Sequence, residues 1–336
     1  MLRLAFIGIS HWHAPMYYEP ASRSAGAEIV AITDTDAELT GAVSKQLGAK
    51  GFTDYRQMLS SVRPDLVFAF GRHCDMADIA NALIDEKVPF IIEKPGGLNS
   101  AEVAAYRDRA KAAKLYAGCG FNFRGSELCK KIQQIIGDDP VTHASFRYIA
   151  GGPYRYRNAN SAWMLDPALS GGGSTINLSP HFIDLFRLFS KTVPAEVVSL
   201  MGNFTWRLPI EDYSSMIIRS SDSVCTVETG YTYPAAKFGV FDLRFSIRTS
   251  RHYMVARGDK VLEVHRTSDG FVEEFPIETS NLFMYPPFVT ESIDRFVKGQ
   301  PPLANLDDLV EVMKVVDAAF ASSRAGNKNV ALAGKA

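Results

Sequence analysis

Short apolar runs alternate with amphipathic stretches over the first 121 residues. The apolar runs occur at residues 2–9, 27–33, 65–70, 88–92 and 115–121. Between them, apolar side chains recur every three or four positions at residues 37–47, 55–62, 76–86 and 100–114. Short apolar runs are typical of strands buried on both faces, and the intervening period is that of helices. The alternation therefore predicts an α/β domain with a doubly wound parallel sheet, in which Ser100 caps the last helix and Glu102 lies in its first turn.

The pattern changes after residue 121. A helix-period stretch at residues 127–136 precedes β-rich runs at residues 142–150, 196–206, 213–231 and 241–264. Turn signals accompany these runs at Ser221-Asp222, Gly258-Asp259 and Asp269-Gly270. Two helical stretches follow at residues 288–298 and 306–322. This order predicts a second, α+β domain built on a large, mostly antiparallel open sheet.

Length and charge narrow the class of protein. The 336 residues exceed the roughly 250–300 at which single cores stop growing. We therefore predict two domains, residues 1–121 and residues 122–336, with C-terminal helices able to pack back on the first. The net charge of −1 argues against nucleic acid or an anionic membrane as a partner. Without a charged leader or an apolar run approaching ~18 residues, we expect a soluble, cytoplasmic protein.

The cysteines and the first histidines do not indicate a metal site. No CxxC or zinc-finger spacing occurs among Cys74, Cys119, Cys129 and Cys225. We expect buried thiols in a reducing compartment. His11, Trp12 and His13 are spaced as at a helix start rather than as a ligand set, so we expect no bound metal.

The first strand ends in a partial dinucleotide fingerprint. Gly8 takes the position of the tight turn, whereas Ser10 and His13 stand where a second glycine and a small third residue are usual. The second strand ends in Asp34, at a spacing close to the ~20 residues expected for a carboxylate that binds a ribose 2′-hydroxyl. No arginine occurs in the next four positions, residues 35–38. A 2′-phosphate would meet negative charge there, so NAD is favoured over NADP.

A lysine follows the buried run at residues 88–92, in the tripeptide Glu93-Lys94-Pro95. The carboxyl end of such a strand is where open α/β sheets bind ligands. The proline biases Lys94 toward an extended backbone. Its side chain could hydrogen-bond a reacting oxygen and stabilise negative charge that develops there. A solvated surface lysine is the alternative.

A glycine triplet, Gly171 to Gly173, precedes a helical stretch that carries Asn177 and His181 on one face. Imidazole, with an ordinary pKa of ~6.5, suits a base that accepts a hydroxyl proton near neutral pH. A structural histidine is the alternative. Polar and aromatic side chains that could line a polyol pocket, or serve an interface instead, are Asn122, Arg124, Tyr154, Arg155, Tyr156 and Trp163.

The order of these motifs resembles one family. The shared features are Gly8 with Asp34, the tripeptide at Lys94, Trp163 with Asp166-Pro167, the glycine triplet, and His181 with Ile183-Asp184. On these residues the chain resembles the Gfo/Idh/MocA oxidoreductases over essentially its whole length. The resemblance implies an N-terminal Rossmann domain and a C-terminal domain whose open sheet often packs in oligomers. It also implies hydride transfer between a nicotinamide cofactor and a sugar-like alcohol or carbonyl.

Residue roles follow from the same resemblance. It implies that Lys94 lies by the substrate and that His181, with the residue four positions before it, serves proton transfer. On these motifs the expected catalytic residues are Lys94, Asn177 and His181. The expected cofactor-binding residues are Gly8, Ser10, His11, Asp34, Gly71, Arg72, Glu93 and Lys94. The expected substrate-binding residues are Asn122, Arg124, Tyr154, Arg155, Trp163 and His181.

The chain departs from the family pattern in three places. Ser10 and His13 degrade the glycine fingerprint. A strand end that usually reads Thr-Pro-Asn with a later histidine reads Gly71-Arg72-His73 here, with Met76 at the later position. Asn177 replaces an aspartate. Two functions therefore stay open: an NAD-dependent dehydrogenase of a sugar or cyclitol, expected to be a homodimer or homotetramer, and a catalytically weak dinucleotide-binding sensor.

Overall fold

The computed structural model describes residues 1–234, 241–258 and 260–332. The chain divides into two compact units. The first unit consists of Met1–Phe121, Tyr154–Gly171 and Tyr285–Val310, and the second of Asn122–Pro153, Gly172–Met284 and Glu311–Ala336. Compared with the predicted division at residue 121, two later segments thus belong to the first unit. One of them holds Trp163, whose ring packs on His11 with 5.8 Å between ring centroids.

Both units contain strands and helices. The strands are β1 (Leu2–Ile7), β2 (Ala27–Thr33), β3 (Lys50–Phe52), β4 (Leu66–Ala69), β5 (Phe90–Ile92), β6 (Ala117–Cys119), β7 (Val141–Gly151), β8 (Glu196–Gly202), β9 (Tyr213–Arg219), β10 (Val224–Tyr233), β11 (Asp242–Thr249), β12 (His252–Ala256), β13 (Val261–Arg266), β14 (Val272–Pro276) and β15 (Val330–Ala331). The helices are α1 (Ala14–Ala21), α2 (Ala37–Leu47), α3 (Tyr55–Val62), α4 (Met76–Asp85), α5 (Ser100–Ala112), α6 (Glu127–Ile136), α7 (Arg155–Asn158), α8 (Pro167–Ser170), α9 (Ser174–Ser190), α10 (Tyr285–Val297) and α11 (Leu306–Arg324).

The sheet of the first unit is parallel throughout, in the order β3-β2-β1-β4-β5-β6. The chain runs outward from β1 to β3 and then returns to continue from β4 on the other side. This reversal makes the β1/β4 boundary the topological switch point, and the carboxyl ends of the strands there form the crevice that binds ligands in such sheets. The strands are apolar because helices cover them; Phe6 of β1 stacks on Phe68 of β4 with 5.3 Å between ring centroids.

Capping side chains begin several of the helices. Asp36 accepts a hydrogen bond from the Leu39 N–H at the start of α2. The prediction that Ser100 caps α5 is wrong. Asn99 is the cap, because its backbone is extended and its side chain accepts the Glu102 N–H. Glu102 does lie in the first turn, as predicted, and accepts the Leu98 N–H in return.

The sheet of the second unit has the order β14-β13-β12-β11-β7-β10-β9-β8-β15. Its neighbours are antiparallel except for the parallel pair β7 and β10. Helix α9 packs on β7, β9 and β10. The predicted fold class, a doubly wound parallel sheet followed by a mostly antiparallel open sheet, is confirmed.

Strands β8 and β9 carry apolar side chains on both faces. Val197, Met216 and Ile218 are buried, whereas Leu200 and Ile217 are 47% and 51% exposed. The predicted strand 196–206 stops at Gly202, because the backbone turns there. The N–H groups of residues 204–206 donate to the Asp212 carboxylate instead of to a neighbouring strand. Within the described ranges, no helix is both long and apolar enough to cross a membrane.

The turn signals at Ser221-Asp222 and Asp269-Gly270 fall between strands, as predicted. Asp259 of the third predicted turn lies outside the described residues. Cys119, Cys129 and Cys225 are buried free thiols, whereas Cys74 is only partly buried, contrary to expectation. Cys74 lies in the short 3-10 helix His73–Asp75, after the end of β4 and outside the sheet.

Candidate functional site

Four of the predicted cofactor residues follow parallel strands directly or within two positions. Gly8 follows β1, Asp34 follows β2, Gly71 follows β4 and Glu93 follows β5. Because these strands are parallel, their carboxyl ends meet at one edge of the sheet. The first unit therefore gathers the predicted cofactor residues at the switch point.

The loop after β1 requires its glycine. Gly8 has φ +75°, and a Cβ at this position would overlap the carbonyl oxygen of Phe70. Two backbone N–H groups hold Asp34, since Ser10 N donates to Oδ2 at 2.7 Å and Asp36 N donates to Oδ1 at 3.1 Å. A carboxylate fixed at the end of β2 still has lone pairs for the hydroxyls of a ribose. A close-approach glycine, a following helix and this carboxylate together fit a dinucleotide.

His11 and His13 are buried in the same loop. His13 N donates to His11 Nδ1 at 3.1 Å, and His13 Nδ1 lies 3.0 Å from Glu93 Oε1. Burial lowers the pKa of His13 well below its ordinary value, and the nearby positive charge of Lys94 lowers it further. Burial likewise lowers the pKa of His11, followed by the effect of His13. Both imidazoles are therefore neutral near pH 7.

Glu93 and Lys94 form a buried pair of opposite charge. Tyr17 OH donates to Glu93 Oε2 at 2.7 Å, and Lys94 Nζ lies 3.9 Å from Glu93 Oε1. Burial raises the pKa of Glu93, and the charge of Lys94 opposes this. Burial lowers the pKa of Lys94 from 10.5 to about 8, and the charge of Glu93 limits the fall. The lysine side chain is only 2% exposed, so it is not the solvated lysine of the alternative reading.

The segment after β4 holds a second group of polar and aromatic side chains. Arg72 lies half-exposed and donates through Nε and Nη2 to Asp75 at 2.6 and 2.9 Å. The Nδ1 of His73 bonds to the Ser170 carbonyl at 2.6 Å, and burial lowers the pKa of His73 to about 3. Trp163 packs edge-on against His73, with 4.9 Å between ring centroids. Trp163 thus packs against two buried histidines of the first unit, His11 and His73.

Tyr154 and Arg155 are less enclosed. Tyr154 is exposed, and the Arg155 guanidinium lies over the Tyr156 ring at 4.7 Å while donating to its hydroxyl at 2.9 Å. The Arg157 guanidinium lies 4.9 Å from the centroid of the Tyr154 ring, and the substrate role of Tyr154 and Arg155 stays a prediction. Among the residues that the structure describes, no group of three or more His, Cys, Asp or Glu side chains could hold a metal ion.

In the second unit, Asn122 and Arg124 lie in the short 3-10 helix Asn122–Gly125. Arg124 Nε donates to Asp184 Oδ2 at 2.9 Å, so Asp184 binds its guanidinium. Asn122 is fully buried, and neither its Nδ2 nor its Oδ1 has a hydrogen-bond partner within the described part of the chain. A buried carboxamide usually has partners, so this one is suited to meet a bound polar group.

The glycine triplet begins α9 at a crowded point. A Cβ on Gly173 would overlap the carbonyl oxygen of Glu211, and Ser174 N donates to that oxygen at 3.1 Å. The Glu211 side chain accepts the Thr175 N–H at 3.0 Å, and burial raises its pKa. The triplet therefore allows the backbone at Gly173 to pack closely against the backbone of Glu211.

Helix α9 presents Asn177 and His181 on one face, as predicted. The Asn177 Nδ2 donates to the Tyr231 hydroxyl at 2.9 Å, a partner that the sequence did not suggest. The His181 ring packs against Phe123 with 5.5 Å between centroids. Tyr231, Asp184 and Glu211 were missed as partners. Tyr17 was missed too, although it stands four positions after His13 on the same helical face and could have been found by that spacing.

Comparison with known proteins gives two family matches. Residues 2–121 match the GFO_IDH_MocA family, described as an oxidoreductase family with an NAD-binding Rossmann fold. Residues 136–255 match the GFO/IDH/MocA C-terminal domain.

Individual relatives are distant. The chain is 21% identical over 316 residues to D-xylose 1-dehydrogenase (NADP(+)) 2 of Haloferax volcanii, covering 91% of this chain and 93% of that protein. It is 22% identical over 220 residues to inositol 2-dehydrogenase of Rubrobacter xylanophilus, covering 63% of this chain and 60% of that protein. Its fold is similar to that of levoglucosan dehydrogenase in complex with NADH and levoglucosan, with a TM-score of 0.82, 19% identity, and coverage of 99% and 100%.

Proposed function

Because the chain belongs to the Gfo/Idh/MocA family of oxidoreductases, we propose that it transfers a hydride between NAD(H) and a sugar, cyclitol or related polyol. The reacting carbon bears a hydroxyl in one direction and a carbonyl in the other. The observation that carries this proposal is Lys94, a buried amine at the ligand-binding edge of the sheet whose pKa is lowered to about 8. The relatives named for xylose, inositol and levoglucosan support the substrate class.

The cofactor proposal rests on the loop after β1 and on Asp34. Gly8 would let the backbone approach the pyrophosphate, and Asp34 would accept hydrogen bonds from the adenosine ribose. Asp36 and Glu38 follow Asp34, so a 2′-phosphate would meet negative charge. We therefore assign NAD to this chain, although the xylose dehydrogenase relative is named for NADP. When bound, the nicotinamide supplies hydride acceptance or donation.

Lys94 is proposed to exchange a proton with the oxygen of the reacting carbon. In alcohol oxidation the O–H proton moves to a neutral Nζ, and the C–H electron pair leaves with the hydrogen as hydride, which forms the carbonyl. In the reverse direction the ammonium donates to the carbonyl oxygen and stabilises the charge that develops there. A pKa of about 8 makes both protonation states accessible near neutral pH.

Further polar side chains, among them some of the second unit, are proposed to act on the substrate or the cofactor. His181 is proposed as a second proton acceptor, with Asn177 as the residue that replaces the aspartate of relatives. The buried Asn122 carboxamide is proposed to hydrogen-bond a substrate or cofactor group, because burying it without a partner costs roughly 1–3 kcal/mol. Arg124, Tyr154, Arg155 and Trp163 remain proposed substrate residues. The ion pair of Arg124 with Asp184 gives Arg124 the weakest support of these.

The test is turnover monitored by nicotinamide absorbance, with a panel of sugars, inositols and their keto forms. Lys94→Met keeps the length of the side chain and removes its charge. We expect it to lower kcat at least ~100-fold and to weaken NADH binding, followed by fluorescence, far less, because Gly8 and Asp34 are unchanged. Equal turnover by Lys94→Met and the parent protein would remove the catalytic assignment.

A second function is favoured by one observation. Asn177 takes the position for which the family resemblance implies an aspartate, and its Nδ2 donates to the Tyr231 hydroxyl, so the residue four positions before His181 carries no charge. A dinucleotide-binding sensor would bind NADH tightly and show no turnover with any member of the panel in either direction. That result would support the sensor over the enzyme.

A further inference from the structure

His13 occupies a position of the dinucleotide fingerprint where a small residue is usual. It is the residue just before α1, and it makes no capping hydrogen bond to that helix. Its imidazole is instead buried against Glu93, with 3.0 Å between Nδ1 and Oε1. Both side chains are at most 3% exposed. A bulky residue at this point therefore has a specific partner, which is the glutamate next to Lys94.

Glu93 has donors on both oxygens. Tyr17 OH donates to Oε2 at 2.7 Å, and His13 Nδ1 faces Oε1. When Glu93 is ionised its oxygens can only accept, so the neutral imidazole bonds to it with its proton on Nδ1. Buried charges persist only when they are paired and hydrogen-bonded. Two donors and the neighbouring ammonium provide these conditions for Glu93.

We propose that His13 is a positioning residue whose Nδ1–H, together with the Tyr17 hydroxyl, holds Glu93 as a carboxylate against Lys94. The inference rests on the function proposed above, in which Lys94 exchanges a proton with the substrate. The carboxylate stabilises the ammonium form of Lys94, and His13 stabilises the carboxylate. His13 thus acts on the reaction through Glu93 and not by contact with the substrate.

Glu93 gives the largest electrostatic support to the charge of Lys94, and Cys119 gives a smaller one. The loop after β1, the helices and the neighbouring strands contribute further titratable or charged groups. These are His11, His13, Tyr17, His73, Arg155 and Tyr285. The imidazoles have lowered pKa values and are neutral, so they add no positive charge at neutral pH.

Removing the Nδ1–H of His13 should lower the pKa of Lys94. Without that donor the buried Glu93 binds a proton more readily, and a neutral Glu93 no longer supports the ammonium of Lys94. The pKa of Lys94 then falls below that of the parent protein. The limb of the pH–rate profile that reports Lys94 moves to lower pH, in both reaction directions.

The first experiment compares His13→Ala with His13→Asn. The Asn Nδ2 stands where the His Nδ1 stands, so His13→Asn keeps the donor. We expect the kcat limb to move down by about half a pH unit or more in His13→Ala and to return toward the parent position in His13→Asn. Tyr17→Phe, which removes the other donor, moves the limb in the same direction and serves if His13→Ala does not fold.

His73→Asn is the matched control. His73 is also buried and neutral, but its Nδ1 bonds to the Ser170 carbonyl, and asparagine can keep that bond. We expect its limb to stay at the parent position. Equal shifts in His73→Asn and His13→Ala, or no shift in both His13→Ala and Tyr17→Phe, would overturn the proposal.

The second experiment needs no substrate. Lys94 binds fewer protons in the folded than in the unfolded chain between pH 8 and 10.5. Its presence therefore makes stability rise with pH across that window, relative to Lys94→Met. In the His13→Ala background we expect this rise to begin at lower pH, by about half a unit or more.

The two experiments separate two kinds of failure. An earlier rise in stability without turnover by the parent protein overturns the proposed reaction and supports the His13–Glu93–Lys94 arrangement. Turnover with a Lys94 limb that His13→Ala and Tyr17→Phe leave in place, together with an unchanged stability curve, overturns the arrangement and supports the reaction.

Discussion

Single residues at the carboxyl edge of the first sheet hold one another in place. Asp34 is fixed by two backbone N–H groups, and Glu93 by two side-chain donors. A fixed carboxylate keeps its remaining lone pairs in one direction, so it loses little conformational freedom when a ligand binds. In the function proposed above, Asp34 would select the cofactor, and Glu93 would support the proton exchange of Lys94 from the same edge.

Asp34 should decide between the two nicotinamide cofactors. We expect the protein to bind NAD(H) at least ~10-fold more tightly than NADP(H), about 1.4 kcal/mol, because Asp34 repels a 2′-phosphate. Asp34→Ser should narrow that ratio by weakening NAD(H) and admitting NADP(H). Titration of NADH and NADPH fluorescence measures both affinities. Equal affinities in the parent protein would contradict the assignment.

Asn177→Asp tests the replacement on α9. A carboxylate four residues before His181 favours the imidazolium and raises the pKa of the histidine, typically by ~1 unit for a close pair. A base must be deprotonated to accept a proton, so the acidic limb of alcohol oxidation that reports His181 should move to higher pH. The pH profile of kcat measures this shift.

His181→Ala is the companion variant. It should remove the limb that reports His181 and keep the one that reports Lys94, while NADH still binds, because Gly8 and Asp34 belong to the other unit. Full activity in His181→Ala with an unmoved profile in Asn177→Asp would make this pair structural.

At the scale of elements, the start of α9 depends on a glycine for steric reasons. A Cβ at Gly173 would overlap the Glu211 backbone, whereas a Cβ at Gly41 inside α2 meets nothing within 4 Å. We expect Gly173→Ala to lower the free energy of unfolding by at least ~2 kcal/mol. Chemical denaturation measures the change.

Gly41→Ala is the control for this prediction. Alanine in a helix interior favours the folded state by roughly 0.5–1 kcal/mol relative to glycine, so this variant should be more stable than the parent protein. If Gly173→Ala left the free energy of unfolding unchanged, the loop at Glu211 would have to move to accommodate the Cβ without loss of stability.

The elements themselves were largely predictable. The bounds of α2, α3 and α6 agree with the periodic pattern, because each helix has one apolar face. Element ends were less predictable. Residues 204–206 keep a strand-like composition, yet the Asp212 carboxylate accepts their N–H groups, and β8 ends before them. Propensity does not reveal such a competing acceptor.

The site was predictable only in part, for a related reason. Asp34 and Lys94 could be predicted as candidates because each comes after a buried strand. The contacts His13–Glu93 and Asn177–Tyr231 join residues 80 and 54 positions apart. Only the folded topology brings such residues together, so the polar network could not be predicted residue by residue.

For the whole molecule, the exposed side of β8 and β9 has a consequence for assembly. Leu200 and Ile217 expose large apolar side chains beside Val198, and contiguous apolar surface of this kind is typical of interfaces. We expect a homodimer or homotetramer at micromolar concentration, measured by light scattering. Ile217→Glu should shift the protein toward monomer.

Val297→Glu is the control for assembly. Val297 ends α10 and is also an exposed apolar residue, but it lies outside this sheet. Its substitution should leave the molar mass unchanged. A monomeric parent protein would contradict the assignment of the β8/β9 face.

Each unit is built from three separate segments of the chain, and this affects when each unit can fold during synthesis. Strand β7 emerges long before β10 and β11, the two strands that pair with it. The first unit likewise awaits residues 285–310, from which Tyr285 and Phe288 pack on Tyr17. A nascent chain therefore carries unpaired strand edges and an open core until nearly all of it has been synthesised. A fragment that ends at Phe121 would keep that open core permanently, so chaperone binding and aggregation, rather than a stable isolated NAD-binding domain, are its expected fate.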